Sequence, residues 1–219
     1  QAQSRADIPL HATFFGRTRF PDGIGTIAAY RGEGRTVAFA GDVVGTGSSR
    51  KSAVNSLSWL IGEDIPHVPN KRRGGIVLGG IIAPIFLATA RDAGLLPVQC
   101  DVTRLRTGDE LTLDLRHWTL TGGDGVAVPV EPPPVTLLDE YRAGGRLNLI
   151  IGRSLTRAAC RALDRPEPPI FREITNPQPA PSQPYTLAQK MVGRACGLAG
   201  VLPGMVCEPR MTTVASQDT

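Results

Sequence analysis

Two adjacent hydroxyls and a guanidinium, Ser48-Ser49-Arg50, follow the glycine-rich run Gly41-Asp42-Val43-Val44-Gly45-Thr46-Gly47 and precede Lys51-Ser52. If a helix begins here, its first turn offers unpaired backbone N–H groups and a partial positive charge. Glycines let a ligand come close to the backbone. Arg50 adds a planar fork suited to a carboxylate. Together these residues suit a polyanionic small molecule, with a serine placed for proton chemistry. The spacing excludes the common nucleotide loops. A Walker A loop needs glycine directly before its lysine, where this chain has Arg50, and the dinucleotide fingerprint needs a third glycine at that same position. The plain alternative is a serine N-cap with no ligand at all.

The elements that must position this loop are legible on either side of it. Val37 to Ala40 reads as a short buried strand, and Ser49 to Ile61 as a helix with Ala53, Leu57, Leu60 and Ile61 on one face and Gly62 as its stop. Ile76 to Leu78 reads as a second strand. Pro84 to Ala93 reads as a helix with proline in its first turn and Gly94 after it. Val98 to Val102 is the next expected strand. Gly108-Asp109-Glu110 reads as a turn before an alternating strand, Leu111 to Leu115. Leu147 to Ile151 is expected as a strand and Leu155 to Leu163 as a short helix. The order is that of an α/β domain with an added β layer. Seven prolines (166, 168, 169, 177, 179, 181 and 184) then crowd one stretch. They predict a semi-rigid linker, dividing the chain into a first domain, 1–165, a Pro-rich linker, 166–184, and a tail, 185–219, too short for a core of its own.

Composition narrows the class. The chain has 219 residues, 41% hydrophobic and 20% charged, as in a soluble globular protein. The longest apolar run, around Ile76 to Leu87, is broken by Gly79, Gly80 and Pro84, so no membrane span is expected. No secretory signal opens the sequence. It begins with Gln1 rather than Met, which reads as a segment of something longer or a processed start. The net charge of +4 is mild, and Lys71-Arg72-Arg73 is the densest basic run, the pattern of a solvated surface. Aromatics at 5% give no stacking pattern for nucleic acid. The four cysteines, Cys100, Cys160, Cys196 and Cys207, form no C-x-x-C pair. They read as reduced, mostly buried thiols of a cytoplasmic protein.

The loop and its surroundings resemble the serine-serine-arginine loop of the aconitase superfamily, and specifically the aconitase B family. The likeness runs through Ala53-Val54-Asn55-Ser56, Gly62 to Arg72, Gly79 to Phe86, Ala143-Gly144-Gly145-Arg146, Leu187 to Gly197, Cys207 to Thr212 and Ser216 to Thr219. It implies an aconitase-type swivel domain, a β/β/α fold, followed by the start of a catalytic part. That family interconverts citrate and isocitrate through cis-aconitate, and some members dehydrate 2-methylisocitrate. By position, the resemblance makes Ser48 the base, in its alkoxide form. Ser49 would hydrogen-bond substrate and Arg50 would grip a carboxylate. It also matches Arg5, in Ser4-Arg5-Ala6-Asp7-Ile8-Pro9-Leu10-His11, and the triplet Gln217-Asp218-Thr219 to substrate-binding positions.

The departures are informative. The family's Thr-Asp-Asp stretch before the Arg5 segment is absent, and the region between His11 and Val37 is shorter than the resemblance implies. The family's 4Fe-4S cluster is held by three cysteines of the downstream part, and no cysteine here matches those motifs. The expected chain therefore holds no metal of its own and needs a cluster-bearing catalytic domain or subunit to act on a tricarboxylate. His67, between Pro66 and Pro69, reads as structural, and Lys51 as solvated. Two other readings stay open at this stage. One is an RNA-binding module, since apo-aconitases can bind mRNA. The other is an inert fragment.

Overall fold

The computed structural model describes residues 13–14, 17–18, 23–172 and 174–215. The chain divides into two compact units, residues 1–172 and 173–219.

In the first unit, β1 (Thr13–Phe14) and β2 (Arg17–Thr18) form a two-residue ladder, followed by helix α1 (Gly23–Gly32). Strand β3 (Ala38–Val44) then leads through the glycine loop into α2 (Arg50–Ile61). The short pair β4 (Glu63–Asp64) and β5 (Arg72–Arg73) follows. Next come β6 (Ile76–Ile82), α3 (Pro84–Asp92) and β7 (Leu96–Gln99). These strands form a parallel sheet in the order β3-β6-β7, with each crossover made by a helix. A meander of β8 (Leu111–Asp114), β9 (Thr119–Gly122) and β10 (Ala127–Val128) forms a second, antiparallel sheet. Helices α4 (Leu137–Ala143) and α5 (Arg146–Ala162) close the unit.

The parallel sheet separates two cores. In β6, Val77 joins Val54, Leu57, Leu60, Ile61 and Phe86 on the helix side. Its neighbour Leu78 joins Leu96, Val98, Leu120 and Val128 against the antiparallel sheet. Successive side chains on a strand point to opposite faces, so Val77 and Leu78 are both buried because β6 is covered on both faces there. The expected α/β class, with a β layer added to a parallel sheet, is the one found. At about 25 cal/mol per Å2 of apolar surface, each fully buried Leu or Phe contributes roughly 1.5–3 kcal/mol. Val77, Leu78, Phe86, Leu95 and Leu96, all within 1% of complete burial, therefore anchor the sheet that carries the loop.

Three expectations need correction. Leu147 to Ile151 is not a strand but the first turns of α5, which runs unbroken to Ala162. A five-residue apolar run does not distinguish strand from helix. Here only Leu149 is buried while Leu147, Ile150 and Ile151 are exposed, which is helical rather than alternating burial. The strand expected at Val98–Val102 begins earlier, at Leu96, and includes Pro97. Proline is tolerated there because β7 is an edge strand. The cysteines are less buried than expected: Cys100 is buried, but Cys160, Cys196 and Cys207 are only half-buried.

In the second unit, no helix or strand occurs among the described residues before α6 (Leu187–Ala195). That helix starts with a reciprocal cap. The Thr186 side chain accepts from the Gln189 N–H, and the Gln189 side chain accepts from the Thr186 N–H. The Thr-x-x-Gln spacing that encodes it is visible in the sequence.

Candidate active-site loop

The loop from Gly45 to Ser49 lies where β3, at an edge of the parallel sheet, gives way to α2. In open α/β sheets the carboxyl ends of the strands are where ligands bind. Two contacts fix its root. The N–H of Ala83 donates to the carbonyl of Val44 at 2.8 Å, tying the entry of α3 to the end of β3. Gly45 adopts a φ of +82° with Phe86 packed directly over it, and any β-carbon there would lie 2.1 Å from Cβ of Phe86. Only glycine satisfies both the backbone conformation and that approach.

Beyond Gly45 the chain turns outward. Thr46, Gly47, Ser48 and Ser49 are exposed and Arg50 is half-buried. Ser49 occupies the N-cap position, and its carbonyl accepts the first helical bond from the Ala53 N–H at 3.0 Å. Its hydroxyl does not cap the helix. The cap predicted as the plain alternative is thus present in position but not in hydrogen bonding, and the Ser49 hydroxyl is available to a ligand. The first turn of α2 contains no acidic residue and instead carries Arg50 and Lys51. Cations at a helix N-terminus oppose the helix dipole by roughly 0.3–1 kcal/mol each. A bound anion would relieve that repulsion. Arg50 makes only a long contact, 3.5 Å from Nη1 to the Gly47 carbonyl. Among the described residues it has no carboxylate partner.

The structure brings Ser48, Ser49 and Arg50 together on one turn. Arg5, Gln217, Asp218 and Thr219 lie outside the described residues. His67 sits in an exposed loop at a φ of 65°. Two residues that matter to the loop, Phe86 and Ala83, were not singled out from the sequence. Their signal was the apolar run before Pro84, read only as strand and helix.

The basic run also proves less uniform than its sequence suggests. Lys71 and Arg73 are exposed. Arg72 instead stacks its guanidinium 4.6 Å from the Trp59 ring centre, donates to the Trp59 carbonyl, and pairs through Nε with Asp64 at 2.7 Å. That hydrogen bond and the charge of Arg72 hold the Asp64 carboxyl below its usual range. Arg72 is a structural strut, which leaves two outward cations rather than three.

The residues present do not fit an iron–sulfur cluster. Among the described residues no three of the His, Cys, Asp and Glu side chains converge on a common point. Cys100 is buried in the second core, where desolvation, and then the charge of Asp101, push its thiol up to about 11. A cluster needs thiolates, and this position disfavours one.

The fold and loop define an α/β domain that presents serine hydroxyls and an arginine at a strand-to-helix turn. Residues 1–185 match the family described as aconitate hydratase 2 N-terminus, and the chain belongs to that family. It is 53% identical over 219 residues to aconitate hydratase B of Synechocystis sp. and 48% identical over 233 aligned positions to that of Escherichia coli. Both alignments take in all of this chain but only 25% and 26% of those proteins, so the chain spans about a quarter of the length of the curated relatives it matches. Among solved structures, 3-isopropylmalate dehydratase of Methanocaldococcus jannaschii overlaps 55% of this chain and 65% of its own, with a TM-score of 0.44 and 22% identity.

Proposed function

We propose that this chain is the swivel domain of an aconitate hydratase, with the opening of its catalytic part attached, and that Ser48 is the base in the dehydration of a hydroxy-tricarboxylate. The observation that carries this reading is the Ser48-Ser49-Arg50 turn, set on a helix start with no acid in its first turn. It occurs in a chain aligned along its whole length with aconitate hydratases. In this reading residues 1–165 are the swivel domain, 166–184 the linker and 185–219 the incomplete start of the catalytic part.

The chemistry asked of these residues is specific. Arg50 takes one substrate carboxylate in bidentate fashion, and Ser49 donates a hydrogen bond to a second acceptor. Arg5 and the triplet Gln217-Asp218-Thr219 supply further contacts in the complete protein. So oriented, the substrate presents a C–H bond to Ser48 Oγ. The alkoxide takes that proton, and the C–H electron pair becomes part of the new double bond as hydroxide leaves the neighbouring carbon. Accepting the hydroxide falls to groups outside this chain, in a cluster-bearing catalytic part.

An alkoxide in contact with bulk water would be protonated at once, and Ser48 is exposed here. The base therefore works only when a second surface covers the loop and excludes water. Under that cover, the N–H groups of the α2 start and the Arg50 charge favour the alkoxide. One preorganised donor of this kind is worth about 3–4 kcal/mol of barrier. The reduced thiols suit a cytoplasmic setting, and among the described residues no helix is long and apolar enough to cross a membrane. The substrates this reading favours are citrate, isocitrate and 2-methylisocitrate.

The test is reconstitution. The chain is mixed with a cluster-loaded aconitase B catalytic part that lacks its own swivel domain, and aconitate formation is followed from each substrate. Activity that requires both pieces and is lost with Ser48→Ala is the expected result. An assembled complex without activity, or one indifferent to Ser48→Ala, would overturn the assignment of the base. Tight, steeply salt-dependent RNA binding by the chain alone would instead favour a nucleic-acid role.

A further inference from the structure

We propose that Cys196 and Cys207 form a peroxide-sensitive dithiol that closes to an intrachain disulfide. This inference concerns the second unit alone and does not rest on the catalytic reading.

The two cysteines lie on segments that the unit holds side by side. Cys196 directly follows α6. The N–H of Arg210 donates to the Ala195 carbonyl at 2.9 Å, which returns the 207–210 segment to the helix end. Just before Cys207, the Asn176 amide accepts from the Val206 N–H at 2.8 Å and donates to the Val206 carbonyl at 3.0 Å. The chain turns back tightly after α6: a β-carbon on Gly193 would lie 2.5 Å from the Gly200 α-carbon. Neither thiol is therefore on a loose segment, and Cys207 is the hydrogen-bonding neighbour of the Cys196 thiol. Burial, then that hydrogen bond and the charge of Cys207, raise the Cys196 thiol.

The pair is also reachable. Both cysteines are half-buried, and Cys196 lines a cavity of about 590 Å3 with Arg194, Glu208 and Arg210. The lining sets two guanidiniums against one carboxylate, so the cavity is net cationic. Cys160 and Cys100 act as internal contrasts. The first is half-buried on α5 and the second is buried in the core.

The chemistry balances with a hydroperoxide as oxidant. One sulfur, as thiolate, attacks the O–O bond, becomes a sulfenic acid and expels hydroxide, which takes up the proton that the thiol released. The second sulfur then displaces the sulfenic oxygen as hydroxide, which leaves as water with that sulfur's proton. The S–S bond forms, two thiols lose two electrons and two protons, and hydrogen peroxide becomes two waters.

The test uses the whole chain. It is treated with stoichiometric hydrogen peroxide, its remaining thiols are alkylated, and its peptides are mapped by mass spectrometry with and without dithiothreitol. Two of the four thiols should disappear, the mass should fall by two hydrogens, and one reducible peptide should join residues 196 and 207. Cys207→Ser should abolish that peptide and leave Cys196 as slow to oxidise as Cys160. Separate oxidation of Cys196 and Cys207 without a link would overturn the proposal, as would a pair no more reactive than Cys160. Mapping the unmodified chain does not depend on the variant folding.

Discussion

Phe86 lies so close over Gly45 that a β-carbon at position 45 would sit 2.1 Å from Cβ of Phe86. The two residues are far apart in sequence, yet their contact sets where β3 ends and how the Ser48-Ser49-Arg50 turn leaves the sheet. Gly45→Ala must both adopt a left-handed φ and displace a fully buried ring. We expect a loss of about 2–5 kcal/mol, summing a left-handed backbone cost of roughly 1–2 with an overpacking cost of roughly 1–3. Urea denaturation measures it. A change below 0.5 kcal/mol, the range of an ordinary surface substitution, would show that the loop re-routes without Phe86.

Ser48→Ala should leave stability within about 0.5 kcal/mol of the parent, because Ser48 is exposed and, among the described residues, its side chain makes no hydrogen bond. If Ser48 is the base, the same substitution in the reconstituted enzyme should lower kcat by several orders of magnitude. Arg50→Lys keeps the charge but loses the fork, and should raise KM more than it lowers kcat. Thermal melts and steady-state kinetics on the same samples separate these outcomes. Equal losses of folding and activity with Ser48→Ala would argue for a structural serine.

Arg91 and Glu140 form a bidentate pair, with Nε at 2.7 Å from Oε2 and Nη2 at 2.6 Å from Oε1. Glu140 is 4% exposed and also accepts from Thr136 Oγ1 at 2.8 Å. Burial pushes its carboxyl up, but the hydrogen bonds from Arg91 and Thr136 and the Arg91 charge outweigh this and leave it below its usual value. A lowered folded pKa contributes stability that is present above the unfolded value, near pH 4.3, and is lost as pH falls through the folded one. Stability measured from pH 6 down to pH 3 should therefore fall more steeply in the parent than in Glu140→Gln. Arg91→Met, which strands the buried carboxylate, should cost about 3–5 kcal/mol at neutral pH. A pH slope unchanged by Glu140→Gln would contradict this assignment.

Arg72→Ala removes the stack on Trp59 and the pair with Asp64, and should destabilise the chain by roughly 1–2 kcal/mol through the lost cation–π and packing contacts. Lys71→Ala, at an exposed position, should change it little. Differential melting of the two variants checks the contrast. Comparable behaviour would mean that Arg72 is as solvated as the basic run suggests by sequence.

Much of what positions the loop was already written locally. The α2 helix ends at Ile61, as its apolar spacing and Gly62 require. α3 begins at Pro84, and the glycines after β3 mark the turn. The Ser48-Ser49-Arg50 set itself is contiguous, so its membership needed no fold. These features depend on backbone preferences and on periodicity over a few residues, which a sequence carries explicitly.

What only the tertiary structure decided depends on partners distant in the chain. Leu147 to Ile151 became helix because Leu149 packs inward while its neighbours face out. Arg72 became a strut because Trp59 and Asp64 stand around it. Arg146 grips Asp92 at 2.5 and 2.9 Å across 54 positions of sequence. A β-carbon on Gly145 beside it would lie 2.3 Å from the Asp92 carbonyl oxygen, which gives a structural reason for the Gly144-Gly145-Arg146 run. Such choices are energetic competitions between alternative partners, and the winning partner is fixed only when the chain closes on itself. The sequence by itself determined the loop, its helix and the chemistry available on them. The fold decided that the Ser49 hydroxyl does not cap its helix, that Arg50 meets no carboxylate among the described residues, and that Phe86 holds the turn in place.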